Sequence, residues 1–110
     1  MSIFERLNEL VETINNRGIP CTLDPRDLDA PGAIAELNRI GNDNLLCGDD
    51  SASATVYLLA PDNGRAEATH TLLRMYEQVR DLTTGAETVE LALPESAPLP
   101  ALRLNPIDLT

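Results

Sequence analysis

Aspartates in two turn-rich segments are the first residues of this sequence that could do chemistry, because clustered carboxylates can bind a hard cation. They are Asp24, Asp27, Asp29, Asp49 and Asp50. A calcium loop of the helix-loop-helix type needs acids at its first, third and fifth positions and glutamate at its twelfth. Counted from Asp24, the third position is Arg26 and the twelfth is Ala35, so this template fails. We expect solvated acids that accept local amide hydrogen bonds, and no metal site.

The other candidates for catalysis are the single histidine and the two cysteines, His70, Cys21 and Cys47. A Cys–His pair needs both side chains within hydrogen-bond reach, and no motif indicates that these residues meet. They also lack the short paired spacings of structural zinc sites. We therefore expect no catalytic residue, no cofactor and no enzyme. The thiols are interpreted as small buried groups in a reducing compartment.

The charge balance disfavours two classes of partner. The 110 residues include 18 acidic side chains and eight arginines, with no lysine, for a net charge of −10. Binding to nucleic acid or to an anionic lipid surface requires clustered cations, which this chain lacks. No apolar stretch approaches the roughly 18 residues that span a bilayer. The N-terminus has no export signal, so we expect a cytoplasmic protein with no membrane partner.

The length allows one small domain with a modest core. Leu, Ile, Val and Phe make up 29 of the 110 residues, which is enough for the chain to fold. A domain of this size buries only about two thirds of the surface of its unfolded chain. One Phe, two Tyr and no Trp leave it without large aromatic anchors. We therefore expect neighbouring subunits to contribute stability.

The first helix is predicted at the N-terminus. Ser2 and Glu5 form a capping box, in which each side chain can satisfy a free amide at the helix start. Apolar residues then recur at helical spacing: Phe4, Leu7, Leu10, Val11 and Ile14. We expect the helix to end at about Arg17, because Gly18 can adopt the left-handed closing conformation and Pro20 cannot extend a helix.

A second helix is predicted after the turn at residues 61–64. Asp62 or Asn63 can cap it, and an apolar stripe of period near 3.6 follows. The stripe comprises Ala68, Leu72, Met75, Tyr76, Val79 and Leu82. We expect this helix to end before Gly85.

Five strands are predicted around these helices, at residues 33–40, 45–47, 54–60, 88–93 and 101–104, although Ala, Leu and Glu in residues 33–40 also favour a helix. Turn clusters at residues 41–44 and 48–51 flank the second strand. Residues 54–60 are apolar on both faces, which places this strand centrally in a sheet. The proline-rich residues 94–100 indicate a rigid connector more than a docking ligand, and the strand after them is predicted at a sheet edge. Residues 105–110 are predicted to be a flexible C-terminal tail.

This order of elements predicts an α+β fold. Two amphipathic helices pack on one face of a mostly antiparallel sheet of four to five strands, which buries both apolar stripes at once. Residues 1–104 then form a single domain.

Four segments, together with the predicted first helix, central strand and long second helix, carry a resemblance to a known family. They are Asp24-Pro25-Arg26-Asp27-Leu28, Ala30-Pro31-Gly32, Ala60-Pro61-Asp62-Asn63-Gly64-Arg65 and Leu99-Pro100-Ala101-Leu102. Together they resemble tail terminator proteins of long-tailed phages, especially phages that infect actinobacteria. The resemblance covers roughly residues 3–104. The absence of lysine also fits a GC-rich genome.

The resemblance implies a small α+β subunit of a hexameric virion ring at the head-proximal end of the tail. Such a ring ends polymerisation of the tail tube and contacts the major tail tube protein and the head–tail connector. It is assembled in the bacterial cytoplasm, and DNA passes through its lumen without sequence-specific binding. On this interpretation Asp49 and Asp50 line the lumen and repel phosphates. Arg26, Asp27 and Arg65 are then candidates for intersubunit charge pairs, although exposed pairs contribute only about 0 to 1 kcal/mol.

Two alternatives stay open at this point. One is a different ring at the head–tail junction, a stopper or connector component. The other is a monomeric cytosolic binding module. The mass of the purified protein distinguishes the rings from the module.

Overall fold

The computed structural model describes residues 2–44, 49–93 and 97–109, with side chains at residues 2–41, 51–93 and 97–109. The elements in chain order are α1 (Ile3–Asn16), β1 (Cys21–Thr22), a 3-10 turn (Pro25–Asp27), β2 (Gly32–Asn44), β3 (Asp49–Leu59), α2 (Arg65–Val79), a 3-10 turn (Arg80–Leu82), β4 (Ala86–Leu91), β5 (Leu99–Leu104) and β6 (Ile107–Asp108). The predicted α+β class is confirmed.

Six strands form one mixed sheet, where the sequence predicts four to five. The order is β1-β2-β3-β5-β4. β6 also pairs with β3, nearer the start of that strand than β5 does. β1 runs parallel to β2, with Cys21 opposite Ala33, and the other described pairings are antiparallel. β1 and β6 have two residues each. The sequence predicts a short extended segment after Ile19, which includes β1, but strands this short carry no alternating pattern that would indicate their pairing.

α1 begins and ends close to where the sequence predicts. Ser2 Oγ accepts a hydrogen bond from the Glu5 amide at 3.1 Å, which satisfies one of the free N–H groups of the first turn. At the other end Gly18 has a φ of +88°, and its amide donates to the Asn15 carbonyl at 3.0 Å. The buried stripe consists of Leu7, Leu10 and Ile14.

The start of α2 differs from the prediction. Neither Asp62 nor Asn63 caps the helix, because the N-cap residue is Gly64, with a φ of +110° and no side-chain hydrogen bond. Glycine adopts this backbone conformation without the steric cost that a Cβ atom brings. The fully buried part of the stripe consists of Ala68, Leu72, Met75 and Val79. Tyr76 and Leu82 are half-buried against the same core.

Both helices pack against one face of the sheet, as predicted. The central strands contribute Ala33, Ala35, Val56 and Leu58, among others, to this main core. The opposite face carries a smaller buried cluster of Leu28, Ile34, Leu59 and Ala101. Because both faces of β3 are covered, its central run is apolar on both sides.

The two strands after α2 lie in an unexpected order. The sequence predicts that residues 101–104 form an edge strand, but β5 lies between β3 and β4, so β4 is at the edge. Both strands also begin two residues earlier than predicted. Pro100 has no N–H to donate, and its carbonyl accepts a hydrogen bond at 3.1 Å from the amide of Ala60, just past the end of β3.

The hairpin of β2 and β3 is longer than predicted. Residues 41–44 continue β2 and residues 49–51 begin β3, although both segments contain typical turn residues. Cross-strand pairing, such as that of Gly41 with Ser51, supplies hydrogen bonds that local propensity does not anticipate. The predicted strand at residues 45–47 lies outside the described residues, as do Gly48 and part of the proline-rich connector.

The C-terminal segment is paired, whereas the sequence predicts a flexible tail. Ile107 lies opposite Ala54 in β3, and the Leu109 amide donates to the Ala52 carbonyl at 2.9 Å. The side chains of Ile107 and Leu109 are buried in the main core. Burial of these two apolar side chains offsets the entropy cost of ordering a terminus, which the sequence after Pro106 does not indicate.

Candidate assembly surface

The hairpin of β2 and β3 extends past the helix layer. β2 has 13 residues and β3 has 11, whereas α1 and α2 have 14 and 15. At about 3.3 Å per strand residue and about 1.5 Å per helix residue, the longer strand spans about 40 Å and each helix about 22 Å. The longest dimension of the molecule is 52 Å, against 29 and 23 Å for the other two. We call residues 37–44 and 49–54 the arm.

A β-bulge determines which way the apolar side chains of the arm face. Leu37 lies opposite Ala54 and Ile40 lies opposite Ala52, because Asn38 is an additional residue in β2. Directly opposed residues share a face, and Ala52 and Ala54 belong to the main core, on the helix side of the sheet. Leu37 and Ile40 therefore lie on the same side as the helices. Without the bulge, residues three apart in a strand would point to opposite faces.

Leu37 and Ile40 are uncovered although they lie on the helix side of the sheet. Their residues are 45% and 54% exposed, whereas Ala33 and Ala35, earlier in β2, are fully buried. The other large apolar residues exposed in the described part of the chain are Phe4 on α1 and Leu73 on α2. We call Leu37 and Ile40 the arm patch.

The arm also has an open strand edge. β1 pairs with β2 only at Ala33 and Ile34, so residues 36–44 have no described strand on that side. The short edge of β1 is closed by α1. The Asn15 side chain accepts a hydrogen bond from the Cys21 N–H and donates one to the Cys21 carbonyl, each at 3.0 Å. Free N–H and C=O groups along an edge are able to pair with another chain.

The second open edge is that of β4, at the far side of the sheet. Within the described residues β4 pairs only with β5. Glu87 on β4 forms an ion pair with Arg103 on β5, and both side chains are about half exposed. The two open edges have different sequences and lie at opposite sides of the sheet. A contact between them joins copies head to tail and is not self-complementary.

Two of the residues predicted for intersubunit pairs, Arg26 and Asp27, lie in the 3-10 turn after β1. Arg26 binds Asp24 of its own chain, with Nη2 3.0 Å from Oδ2 and Nε 3.2 Å from Oδ1. These hydrogen bonds hold the pKa of Asp24 below its ordinary value. Asp27 is exposed. The pair that the structure shows is therefore between Arg26 and Asp24, within one chain.

The third predicted interface residue, Arg65, is exposed at the first position of α2. No described hydrogen bond or ion pair joins it to Arg26 or Asp27. The predicted lumen residues Asp49 and Asp50 begin β3, where Asp49 lies opposite Asn44. Their side chains are outside the described part of the chain. Their place in a lumen stays a prediction.

The candidates for catalysis and metal binding are dispersed. His70 is exposed on α2, and no described hydrogen bond or ion pair involves it. Cys21 is half-buried on β1, and burial raises the pKa of its thiol to about 11, so it is protonated at neutral pH. Cys47 lies outside the described residues. Within those residues no three His, Cys, Asp or Glu side chains are close enough to hold a metal ion.

The sequence did not predict that Leu37 and Ile40 form one patch. Strict alternation along residues 33–40 assigns Leu37 to one face and Ile40 to the other, with Ile34. The structure places Ile40 with Leu37, because the bulge at Asn38 reverses the alternation after it. Two apolar residues three apart in a strand, with polar residues between them, are the signal that could have indicated a bulge.

No helix in the described residues is both long enough and apolar enough to cross a membrane. Comparison with known proteins found no matching family model, no matching curated protein and no matching solved structure. The features that bear on function are therefore the arm, the two open edges and the charge.

Proposed function

We propose that this chain is a phage tail terminator. In this role it forms a ring that caps the head-proximal end of the tail tube, ends tube polymerisation and joins the tail to the head connector. The observation that carries the proposal is the arm, a two-stranded extension with an apolar patch that the described part of its own chain leaves exposed. The resemblance of four sequence segments to the tail terminator family supports the same role.

The arm suits contact with a second copy of the chain. Removing apolar surface from water favours association by about 25 cal/mol per Å². The open edges of β2 and β4 differ, which favours head-to-tail contacts, and such contacts close into a ring when the rotation between copies divides a full turn. A closed ring also covers edges that would otherwise promote aggregation.

The net charge of −10 suits a protein that surrounds a DNA channel. Acidic side chains at the lumen repel phosphates, so a passing genome does not bind the wall. We propose Asp49 and Asp50 for the lumen. Arg26, Asp27 and Arg65 remain proposed intersubunit residues, and Arg26 would exchange or share its intrachain partner there.

The mass and shape of the purified protein test this proposal. We expect native mass spectrometry and negative-stain electron microscopy to show a ring near six times the 11.9 kDa subunit mass, either free or on the ends of tail tubes. A phage that lacks the gene is expected to produce heads together with overlong or unjoined tails. A strict monomer that leaves tube ends unaltered contradicts the proposal and favours a binding module. A ring that binds heads and not tubes favours a stopper.

A further inference from the structure

A cleft lies between the loop that follows α1 and the outer side of α2. Its volume is about 330 Å³. Two lining residues, Ile19 and Met75, are buried and form an apolar floor. Arg17, Thr71 and Arg74 also line it. A cleft at the small end of the range of ligand pockets admits a side chain or two, and not a whole helix.

The charge of this cleft is opposite to that of the chain. Among the described residues that line it, the two arginines are the only charged ones, whereas the chain as a whole has a net charge of −10. Arg74 makes no ion pair with any residue that the structure describes. A free guanidinium beside an apolar floor attracts a carboxylate carried on a short apolar stem.

The other arginine is engaged by its own chain. Arg17 Nη1 donates to the backbone carbonyl of Gln78 at 3.0 Å and also binds Asp81 Oδ1. The hydrogen bond from Arg17 holds the pKa of Asp81 below its ordinary value. Arg74 is therefore the cation that is left to bind a partner, and Arg17 forms a fixed wall of the cleft.

We propose that this cleft receives an acidic side chain of a second copy of the chain, and that Arg74 binds its carboxylate. This inference rests on the proposed function, because it names a contact by which the copies associate. Two copies that each carry a net charge of −10 repel one another, so their association is favoured where the few cations lie at the contact. A second copy offers many carboxylates that could bind Arg74, since it has 18 acidic residues.

A nucleic-acid backbone fits the cleft less well than a carboxylate does. Binding to nucleic acid neutralises several phosphates along a strand and needs a matching row of cations. The cleft presents two arginines, one of which is already paired, on an acidic chain. A single arginine suffices for a carboxylate, which it can bind through two parallel hydrogen bonds.

Charge reversal at Arg74 tests the inference. The variants are Arg74→Glu and, as a matched control with the same change in net charge, Arg6→Glu on the exposed side of α1. Sedimentation of a dilution series at about 0.1 M and about 1 M salt measures the half-assembly concentration, because the Debye length falls from about 10 Å to about 3 Å between these conditions. A surface ion pair changes an association constant by up to about fivefold. Charge reversal replaces this attraction with repulsion, so we expect the half-assembly concentration of R74E to exceed that of R6E by about tenfold at the lower salt. The difference should shrink at the higher salt.

The outcomes separate this inference from the proposed function. Equal assembly of R74E and R6E overturns the role of the cleft while the ring remains. A wild-type chain that is monomeric at every concentration overturns both. Release of assembled copies by a short DNA duplex, with R74E insensitive to it, assigns the cleft to phosphate and overturns the inference. Arg74→Lys keeps the charge and should assemble close to wild type. Unchanged thermal unfolding of all variants shows that the change in assembly does not come from a change in folding.

Discussion

Replacing both residues of the arm patch by threonine should separate assembly from folding. Leu37→Thr and Ile40→Thr keep residues that favour strands and shorten the apolar surface offered to a partner. Both side chains lie on a part of the sheet that the helices do not cover. We therefore expect the free energy of unfolding of the double variant to fall by less than about 1 kcal/mol per site.

The cost to assembly follows from the exposed fraction. Full burial of a leucine or isoleucine side chain contributes about 1.5 to 3 kcal/mol. Leu37 is 45% exposed and Ile40 is 54% exposed, so about half of that contribution is still available to a partner. The pair then contributes about 2 kcal/mol per interface, which is about thirtyfold in the association constant.

Sedimentation of a dilution series, with urea unfolding in parallel, measures both quantities. The matched control is Phe4→Ala on α1, since Phe4 is 64% exposed and belongs neither to the arm nor to the lining of the cleft. We expect the control to assemble like the wild type. If the double variant assembles as well as the control does, the arm is not an interface. If its unfolding free energy falls by several kcal/mol, the patch serves the fold of the monomer and the reasoning is refuted.

Three further predictions concern the core, the thiol on β1 and the proposed lumen. Ile14 is fully buried, so Ile14→Ala should lower the free energy of unfolding by about 2 to 5 kcal/mol, and a loss below about 1 kcal/mol in urea unfolding would contradict the packing described. In a Cys47→Ser background, alkylation of Cys21 by iodoacetamide at pH 8 should be about a hundredfold slower than in urea-unfolded chain, because its pKa is raised from 9.0 to about 11. A raised pKa means that the native state holds this proton more tightly, so the associated stability is present below about pH 9 and is lost as the pH rises through about 11. Neutralising Asp49 and Asp50 together to asparagine should slow genome ejection from assembled phage, and an unchanged ejection rate removes both residues from the lumen.

Local signals were sufficient for the helices. In α1 the cap at Ser2, the apolar spacing and the closing Gly18 all act within a few residues of one another, and the structure agrees with each. In α2 the apolar stripe could be predicted from the sequence, but the N-cap residue could not. The positive φ of Gly64 depends on the path that the chain takes from the end of β3 to the helix, which no neighbouring side chain specifies.

Pairing between strands could not be predicted from local signals in the same way. The turn-like residues 41–44 and 49–51 are strands because each segment supplies the other with hydrogen bonds. Ile107 and Leu109 are ordered because β3 and the main core accept them. Ile107 and Ala54 lie 53 positions apart, beyond any short window of sequence, and Gly41 and Ser51 lie ten apart in segments whose residues favour turns.

The sequence by itself determined the α+β class, the two helices, the central strand and the acidic charge, because composition and short-range periodicity are properties of neighbouring residues. Only the tertiary structure decided that Leu37 and Ile40 share a face, which edges of the sheet are open within the described residues, and that Arg74 lines an apolar cleft with no ion-pair partner among those residues. These features arise from strand register and from the packing of segments far apart in the chain. Register is set by the whole set of cross-strand contacts at once, and a single additional residue such as Asn38 reverses the face of everything that follows it in the strand.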